Sequence, residues 1–203
     1  AFLKEYFAAH AFKTITTTQF IDYLNENLIK GDQALAEEIG VDRWIYEPGL
    51  PTDFPKIESE RFMAVDKVIK EYKGGKAPAM LATKEWSTHE WLHFLRNLPE
   101  DISATQMAEL DKAFSFTKTG NSEIACVWLT MAVDNQYAAA YPAVDKFLVT
   151  VGRRKFLVPL YKAMTQSEEG KLMALDIYTR ARKNYHSVST STIDNMLGYN
   201  EVI

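Results

Sequence analysis

The segment His89-Glu90-Trp91-Leu92-His93 has residue types and a spacing that could do chemistry. It spells H-E-x-x-H, in which two histidines one helical turn apart could hold one zinc ion while the glutamate acts as a general base. A working site of this kind would make the chain a small metallopeptidase. Whether it works depends on the element that carries these side chains and on the rest of the chain.

The local sequence favours a structural role for Glu90. Ser87 precedes it by three residues, and Ser-x-x-Glu ahead of an apolar run is the capping box that begins many helices. His89, His93 and Arg96 fall on one side of the predicted helix, which we expect to face solvent. The opposite side carries the apolar residues Trp91, Leu92, Phe94, Leu95 and Leu98.

A catalytic zinc also needs a third protein ligand. At the distance beyond His93 where gluzincin peptidases place that ligand, this chain has Lys112, and Glu109 stands in the wrong register. We therefore interpret His89, Glu90 and His93 as a chance match on a surface helix. On this interpretation the chain has no metal site and no catalytic residue, and the small metallopeptidase is the less favoured alternative.

Composition limits the class of protein. The chain has 203 residues, of which 47% are hydrophobic and 12% aromatic, enough to bury a substantial core. A net charge of −4 without a long basic stretch argues against nucleic-acid binding. No apolar run is long enough to span a membrane. The single cysteine, Cys126, cannot form a disulfide within the chain, which favours a cytoplasmic location.

Apolar residues recur at helical spacing along almost the whole chain, and strand signals are nearly absent. We predict an all-α fold of roughly ten helices in layered pairs, an α–α superhelix of the armadillo/HEAT kind, in a single domain over 1–203. A compact bundle is the alternative. The proline-containing segment 48–55 is expected to join two helices, and a short helix near 192–197 is expected to be the last.

A second chemical feature is the turn Gly152-Arg153-Arg154-Lys155, which joins two predicted helices. Cations are disfavoured in the first turn of a helix because the helix N-terminus carries positive partial charge. Backbone N–H groups and cationic side chains in one place form an anion site. One interpretation is recognition of a carboxylate or phosphate; the other is solvated charge or ion pairing with an acidic neighbouring domain.

Several short motifs occur in a characteristic order. They are Thr14-Ile15-Thr16-Thr17, Trp44-Ile45-Tyr46-Glu47-Pro48-Gly49-Leu50-Pro51, Asn121-Ser122-Glu123-Ile124, and Gly152-Arg153-Arg154-Lys155-Phe156 with Pro159-Leu160. Together they resemble the C-terminal helical domain of leukotriene A(4) hydrolase and its relatives among the aminopeptidase-N-type zinc aminopeptidases. The resemblance extends over nearly the whole chain.

This resemblance implies a non-catalytic domain that forms one wall of a substrate cleft. Zinc and the G-x-M-E-N motif, which this chain lacks, would belong to a catalytic domain that precedes it, and that domain would be its partner. In the family the first and third cations of the turn bind the carboxylate of the peptide substrate, and these fall on Arg153 and Lys155. Arg154 falls on the variable position between them, which points elsewhere.

The resemblance also implies aminopeptidase activity for a longer parent protein. The first residues already look like the middle of a helix, so we expect the chain to begin with a fragment of the helix that links it to the catalytic domain. The alternative function is a stand-alone helical scaffold that binds protein partners through an exposed apolar surface.

Overall fold

The computed structural model describes residues 1–55 and 58–199. In these residues there are twelve α-helices and no β-strand, which confirms the all-α prediction. The chain divides into two compact units, residues 1–57 and 58–203, and the division falls just after the proline-containing segment 48–55. The prediction of a single domain over 1–203 stays a prediction.

The first unit contains four short helices: α1 (Phe2–Ala9), α2 (Thr17–Leu24), α3 (Gln33–Ile39) and α4 (Val41–Tyr46). Thr16 and Gln19 form a capping box that begins α2, and α2 runs on into a π-helical turn over Asn25–Ile29. The ring of Tyr6 packs edge-on against Phe20 and Tyr23, with both pairs of ring centroids 5.6 Å apart. Aromatic contacts of this geometry join α1 to α2.

Little of the first unit is buried. Among its described residues only Leu24 and Ile29 are buried hydrophobic side chains. Many large apolar side chains are exposed instead: Leu3, Phe7, Phe12, Leu28, Trp44, Tyr46, Leu50 and Phe54. So many exposed large apolar side chains are unusual in a small unit whose surface remains in contact with water.

The second unit contains eight helices: α5 (Glu60–Lys73), α6 (Thr88–Arg96), α7 (Ala104–Phe114), α8 (Ser122–Asp134), α9 (Tyr141–Thr150), α10 (Arg154–Met164), α11 (Glu168–Ala181) and α12 (Ser187–Leu197). One layer is formed by α6, α8, α10 and α12, each packed against the next. In the other layer α9 packs against α11, and contacts of α8 with α9 and of α10 with α11 join the layers. This is the predicted arrangement of layered helical pairs.

The main core lies between the two layers of the second unit. Trp128 of α8 is fully buried, and its indole N–H donates to the Thr117 hydroxyl at 2.9 Å. The Tyr185 hydroxyl donates to the carbonyl oxygen of Leu148 at 2.5 Å and lies 3.1 Å from the hydroxyl of Tyr161. Burial raises the pKa of Tyr185 to about 12. These hydrogen bonds satisfy polar groups that large aromatic side chains carry into the core.

The last helix is longer than the sequence predicts. Instead of a short helix near 192–197, α12 covers Ser187–Leu197, and the His186 ring accepts a hydrogen bond from the Val188 N–H at its start. Its first turns contain serine and threonine residues of low helix propensity, so packing stabilises them. Ser189, for example, is buried and bonds to the Gly152 carbonyl.

No helix in the described ranges combines the length and the apolar content needed to cross a bilayer.

Candidate functional site

The capping box at the start of α6 is present as predicted. The Glu90 carboxylate accepts the Ser87 backbone N–H at 2.8 Å, and the Ser87 side chain accepts the N–H of Glu90. The sequence did not predict the third partner. The Arg61 guanidinium reaches both carboxylate oxygens of Glu90, each at 2.8 Å, from α5. Glu90 is only 5% exposed, and the hydrogen bonds from Arg61 and then Ser87 lower its pKa to about 2.

His93 does not lie on a solvated face, and this part of the prediction is wrong. Its ring stacks on Phe62 with the centroids 4.6 Å apart and the planes within 1° of parallel. Its Nε2 atom lies 2.7 Å from Oδ1 of Asp66. Both partners come from α5, which packs beside α6 and half-buries the ring. His89 and Arg96 are exposed, as expected.

The H-E-x-x-H residues do not fit a zinc site. The carboxylate of Glu90 is held by Arg61, and Nε2 of His93 is directed to Asp66. Among residues 1–55 and 58–199, no group of three or more His, Cys, Asp or Glu side chains is placed to hold a metal ion. Because a catalytic zinc takes three protein ligands, no reaction step can be assigned to this motif.

The cationic turn lies at the start of α10. Arg153 is the N-cap residue, followed by Arg154 and Lys155 in the first helical turn, and all three side chains are exposed. The Arg154 Nε atom donates to the Thr192 hydroxyl on α12 at 2.9 Å, so Arg154 points away from its two neighbours. Arg153 and Lys155 instead lie near the ring of Phe156, 5.7 Å and 5.4 Å from its centroid.

Lys155 is paired with a carboxylate of the same chain. Its ammonium group lies 2.6 Å and 2.7 Å from the two oxygens of Glu123, in the first turn of α8. The hydrogen bond from Lys155 lowers the pKa of Glu123, and the charges of Arg153 and Arg96 act in the same direction. Three cations therefore act on this one carboxylate.

Two of these cations lack an ion-pair partner among the described residues. Within the described part of the chain, neither Arg96 nor Arg153 forms an ion pair with a carboxylate. The backbone N–H groups at the start of α10 add positive partial charge. The arrangement is therefore suited to bind an anion of one or two charges.

A cavity of about 550 Å³ opens beside this charge cluster, between α6, α8 and α10. Its charged lining consists of the cations Lys155 and Arg96 and the carboxylates Glu123, Glu100 and Asp134. The apolar side chains that line it are Leu95, Leu98, Pro99, Val127, Met131, Phe156 and Pro159. The Cys126 thiol also lines it and donates weakly to the Phe156 carbonyl at 3.7 Å; burial raises the pKa of this thiol. A cavity of this volume is in the range that binds small molecules.

Sequence reasoning selected Arg153 and Lys155, whose role in carboxylate binding stays a prediction, and it did not select their neighbours Glu123 and Arg96. Glu123 belongs to one of the motifs that carry the family resemblance, but the resemblance assigns no function to that motif. Arg96 was interpreted as part of a solvated surface. Its position at the cavity follows from the packing of α6 against α8, which local sequence does not specify.

Comparison with known proteins gives the class of the second unit. The family model described as "Leukotriene A4 hydrolase, C-terminal" matches residues 86–197, more than half of the chain. The chain belongs to this family. The matched segment includes α6 to α12, and with them both the cationic turn and the cavity.

Sequence similarity to curated proteins extends beyond residues 86–197 and covers almost the whole chain. The chain is 28% identical to "Leucine aminopeptidase 2" of Pyricularia oryzae over 98% of its own length and 33% of that protein. It is 25% identical to "Leucine aminopeptidase 2" of Lodderomyces elongisporus over 95% of its length and 33% of that protein. It therefore spans about a third of the length of these curated relatives.

Solved structures show the same fold. Native leukotriene A4 hydrolase from Saccharomyces cerevisiae matches with a TM-score of 0.73 at 20% identity, over 98% of this chain and 35% of that chain. The yeast enzyme in complex with Bestatin matches with a TM-score of 0.77 at 20% identity, over the same shares of the two chains.

Proposed function

We propose that this chain is the C-terminal, non-catalytic domain of a zinc-dependent aminopeptidase. In this proposal it forms one wall of the substrate cleft, and Arg153 and Lys155 bind the carboxylate of a peptide whose N-terminal bond is cleaved at a zinc held by another domain. Family membership and the named aminopeptidase relatives support the parent activity. The residues that this chain contributes orient the substrate and perform no bond-breaking step.

The observation that carries the proposal is the excess of positive charge at the start of α10. Arg153 and Lys155 are both exposed, and each lies beside the ring of Phe156. Glu123 neutralises only one of the three cations around it. Cations that stay unpaired at a positively polarised helix N-terminus cost stability, which favours a role in binding an anion.

The exposed apolar side chains of the first unit support contact with a further domain. Phe7, Tyr46 and Leu50 are 67%, 62% and 72% exposed, and their burial against a catalytic domain would be favourable. The same observation supports the alternative function, a stand-alone scaffold that binds protein partners. The aminopeptidase domain and the stand-alone scaffold differ in whether the coding sequence continues upstream of Ala1 into a catalytic domain.

The test uses the longer protein that contains this chain. We expect it to hydrolyse amino-acid anilides and to contain one zinc ion in its upstream domain. Arg153→Ala should raise the KM for the tripeptide Leu-Gly-Gly about tenfold or more, because a charge-assisted contact is lost. It should leave the kinetics with the C-terminal amide of the same tripeptide within about twofold. Lys155→Ala should show the same pattern.

Arg154→Ala is the matched control, since this neighbouring cation bonds to Thr192 instead. It should change the KM for the tripeptide and the KM for its amide by no more than about twofold. Equal effects of Arg153→Ala on the acid and the amide would rule out carboxylate binding at this turn. A coding sequence without a catalytic domain upstream of Ala1 would favour the scaffold.

A further inference from the structure

We propose that the cavity between α6, α8 and α10 binds the C-terminal side chain of the peptide substrate and selects large apolar residues there. This inference rests on the proposed function, since it places the substrate carboxylate at Lys155. It adds a specificity site within this chain that the carboxylate contact alone does not provide. The substrate class is a short peptide with leucine, methionine or an aromatic residue at its C-terminus.

The cavity begins where the carboxylate would lie. Lys155 is both a member of the cationic turn and part of the cavity lining, and Phe156, which follows it, lines the cavity too. In a C-terminal residue the side chain and the carboxylate are attached to the same carbon atom. A carboxylate held at Lys155 therefore places that side chain within reach of the cavity.

The lining of the cavity suits an apolar side chain. Val127 and Met131 lie one helical turn apart on the same face of α8, and Pro159 lies one turn after Lys155 on α10. Pro159 has no N–H group to donate, so it adds only apolar surface at its position. Side chains of this kind bind an apolar group by removing it from water.

The cations of the lining lie towards one end of the cavity and favour one direction for a bound peptide. The cavity follows α8 from Glu123 to Asp134, which is roughly 16 Å along a helix. Its cations, Arg96 and Lys155, act on Glu123 at the start of α8, whereas the opposite end of α8 contributes the Asp134 carboxylate. Glu100, which follows α6, is the third carboxylate of the lining. A ligand carboxylate is attracted to the Lys155 end and repelled from the other.

The experiment uses the 203-residue chain with its methionine methyl groups labelled with carbon-13. Met131 lines the cavity, and the other six methionines serve as internal references in the NMR spectrum. Met131→Leu assigns the signal. The probes are N-acetylglycyl-leucine, N-acetylglycyl-serine and the amide of the first. We expect the Met131 signal to shift saturably with N-acetylglycyl-leucine, and the Kd for the serine compound to be roughly tenfold higher or more.

Val127→Phe should fill the cavity and weaken binding of N-acetylglycyl-leucine by tenfold or more while sparing N-acetylglycyl-serine. Val149→Phe is the matched control, because Val149 is half-buried on α9 and does not line this cavity. It should leave the affinity within twofold. The comparison of the leucine and serine compounds on the unaltered chain does not depend on the folding of either variant.

The possible failures can be told apart. Equal affinities for the leucine and serine compounds, with the amide still bound more weakly than the acid, would overturn the side-chain site and leave carboxylate binding intact. Equal affinities for the acid and the amide would overturn the carboxylate contact, and this inference with it. A shift of the Met131 signal that does not saturate would overturn the inference as well.

Discussion

The Lys155 ammonium group bridges both carboxylate oxygens of Glu123, at 2.6 Å and 2.7 Å, across two helices that pack side by side. The pair joins the first turn of α10 to the first turn of α8. Lys155 is therefore held in position before any ligand arrives. A ligand carboxylate must then share this cation with Glu123.

The first prediction concerns this competition. Glu123→Gln keeps a hydrogen-bond acceptor for Lys155 but removes the like charge that repels a ligand carboxylate. We expect it to tighten binding of N-acetylglycyl-leucine to the chain by roughly three- to tenfold, measured from the Met131 methyl signal. Glu168→Gln, an exposed change on α11, should leave the affinity unaltered. Weaker binding after Glu123→Gln would mean that the carboxylate positions Lys155 more than it competes.

The second prediction concerns acid stability. Glu90 has a pKa of about 2 in the folded chain, below its ordinary value of 4.5. A carboxylate with a lowered pKa contributes stability above the ordinary value, and this contribution is lost as the pH falls from about 4.5 to about 2. Arg61→Gln should therefore lower the urea midpoint of unfolding at pH 7. The difference in urea midpoint between this variant and the unaltered chain should become smaller as the pH falls through this range.

Lys76→Gln is the control for this prediction. It removes an ion pair with Glu71 in which both side chains are more than a third exposed, and such pairs contribute little. Its effect on the urea midpoint at pH 7 should be clearly smaller than that of Arg61→Gln. A difference between the unaltered chain and Arg61→Gln that stays constant from pH 7 to pH 2.5 would contradict the assignment.

The third prediction concerns the H-E-x-x-H residues. His93→Ala removes the ring that stacks on Phe62 and bonds to Asp66, so it should cost about 1 kcal/mol of unfolding free energy. His89→Ala, an exposed change one helical turn earlier, should stay within about 0.5 kcal/mol. Elemental analysis should find the same zinc content in both variants and in the unaltered 203-residue chain. One zinc per chain, lost in His93→Ala, would restore the metallopeptidase alternative.

The fourth prediction concerns the tyrosine pair in the core. Tyr185→Phe removes the donor to the Leu148 carbonyl and the neighbour of the Tyr161 hydroxyl, so it should cost about 1–3 kcal/mol in urea unfolding. The raised pKa of Tyr185, about 12, gives a contribution that is present below pH 10 and is lost as the pH rises towards 12. Tyr46→Phe, at a largely exposed position, should have no comparable effect.

Local sequence signals predicted the elements well where side chain and backbone interact over a few residues. The capping box at Ser87 appears in the structure as the sequence indicates. These signals work because the interacting groups are three or four positions apart. The full length of α12 escaped prediction because its serines and threonines form a helix only when packed against α10 and α11.

The residues of the candidate site could be selected in part from the sequence, and their binding role stays a prediction. Arg153 and Lys155 could be selected for two reasons. Three cations at the start of a helix are disfavoured by the helix dipole, which suggests a binding role, and the family motif includes the same turn. The residues that contact them could not be identified from local sequence, because those contacts join positions far apart in the chain. Glu123 meets Lys155 across 32 positions, and Arg61 meets Glu90 across 29.

The sequence by itself thus determined the all-α class, the family and the position of the cationic turn, because periodicity, capping and motif order are properties of neighbouring residues. Only the tertiary structure decided that Glu90 and His93 are occupied by partners on α5, that Glu123 holds Lys155, and that an apolar cavity opens beside them. These features arise where helices distant in sequence pack together, and the packing depends on the combined shape of many side chains.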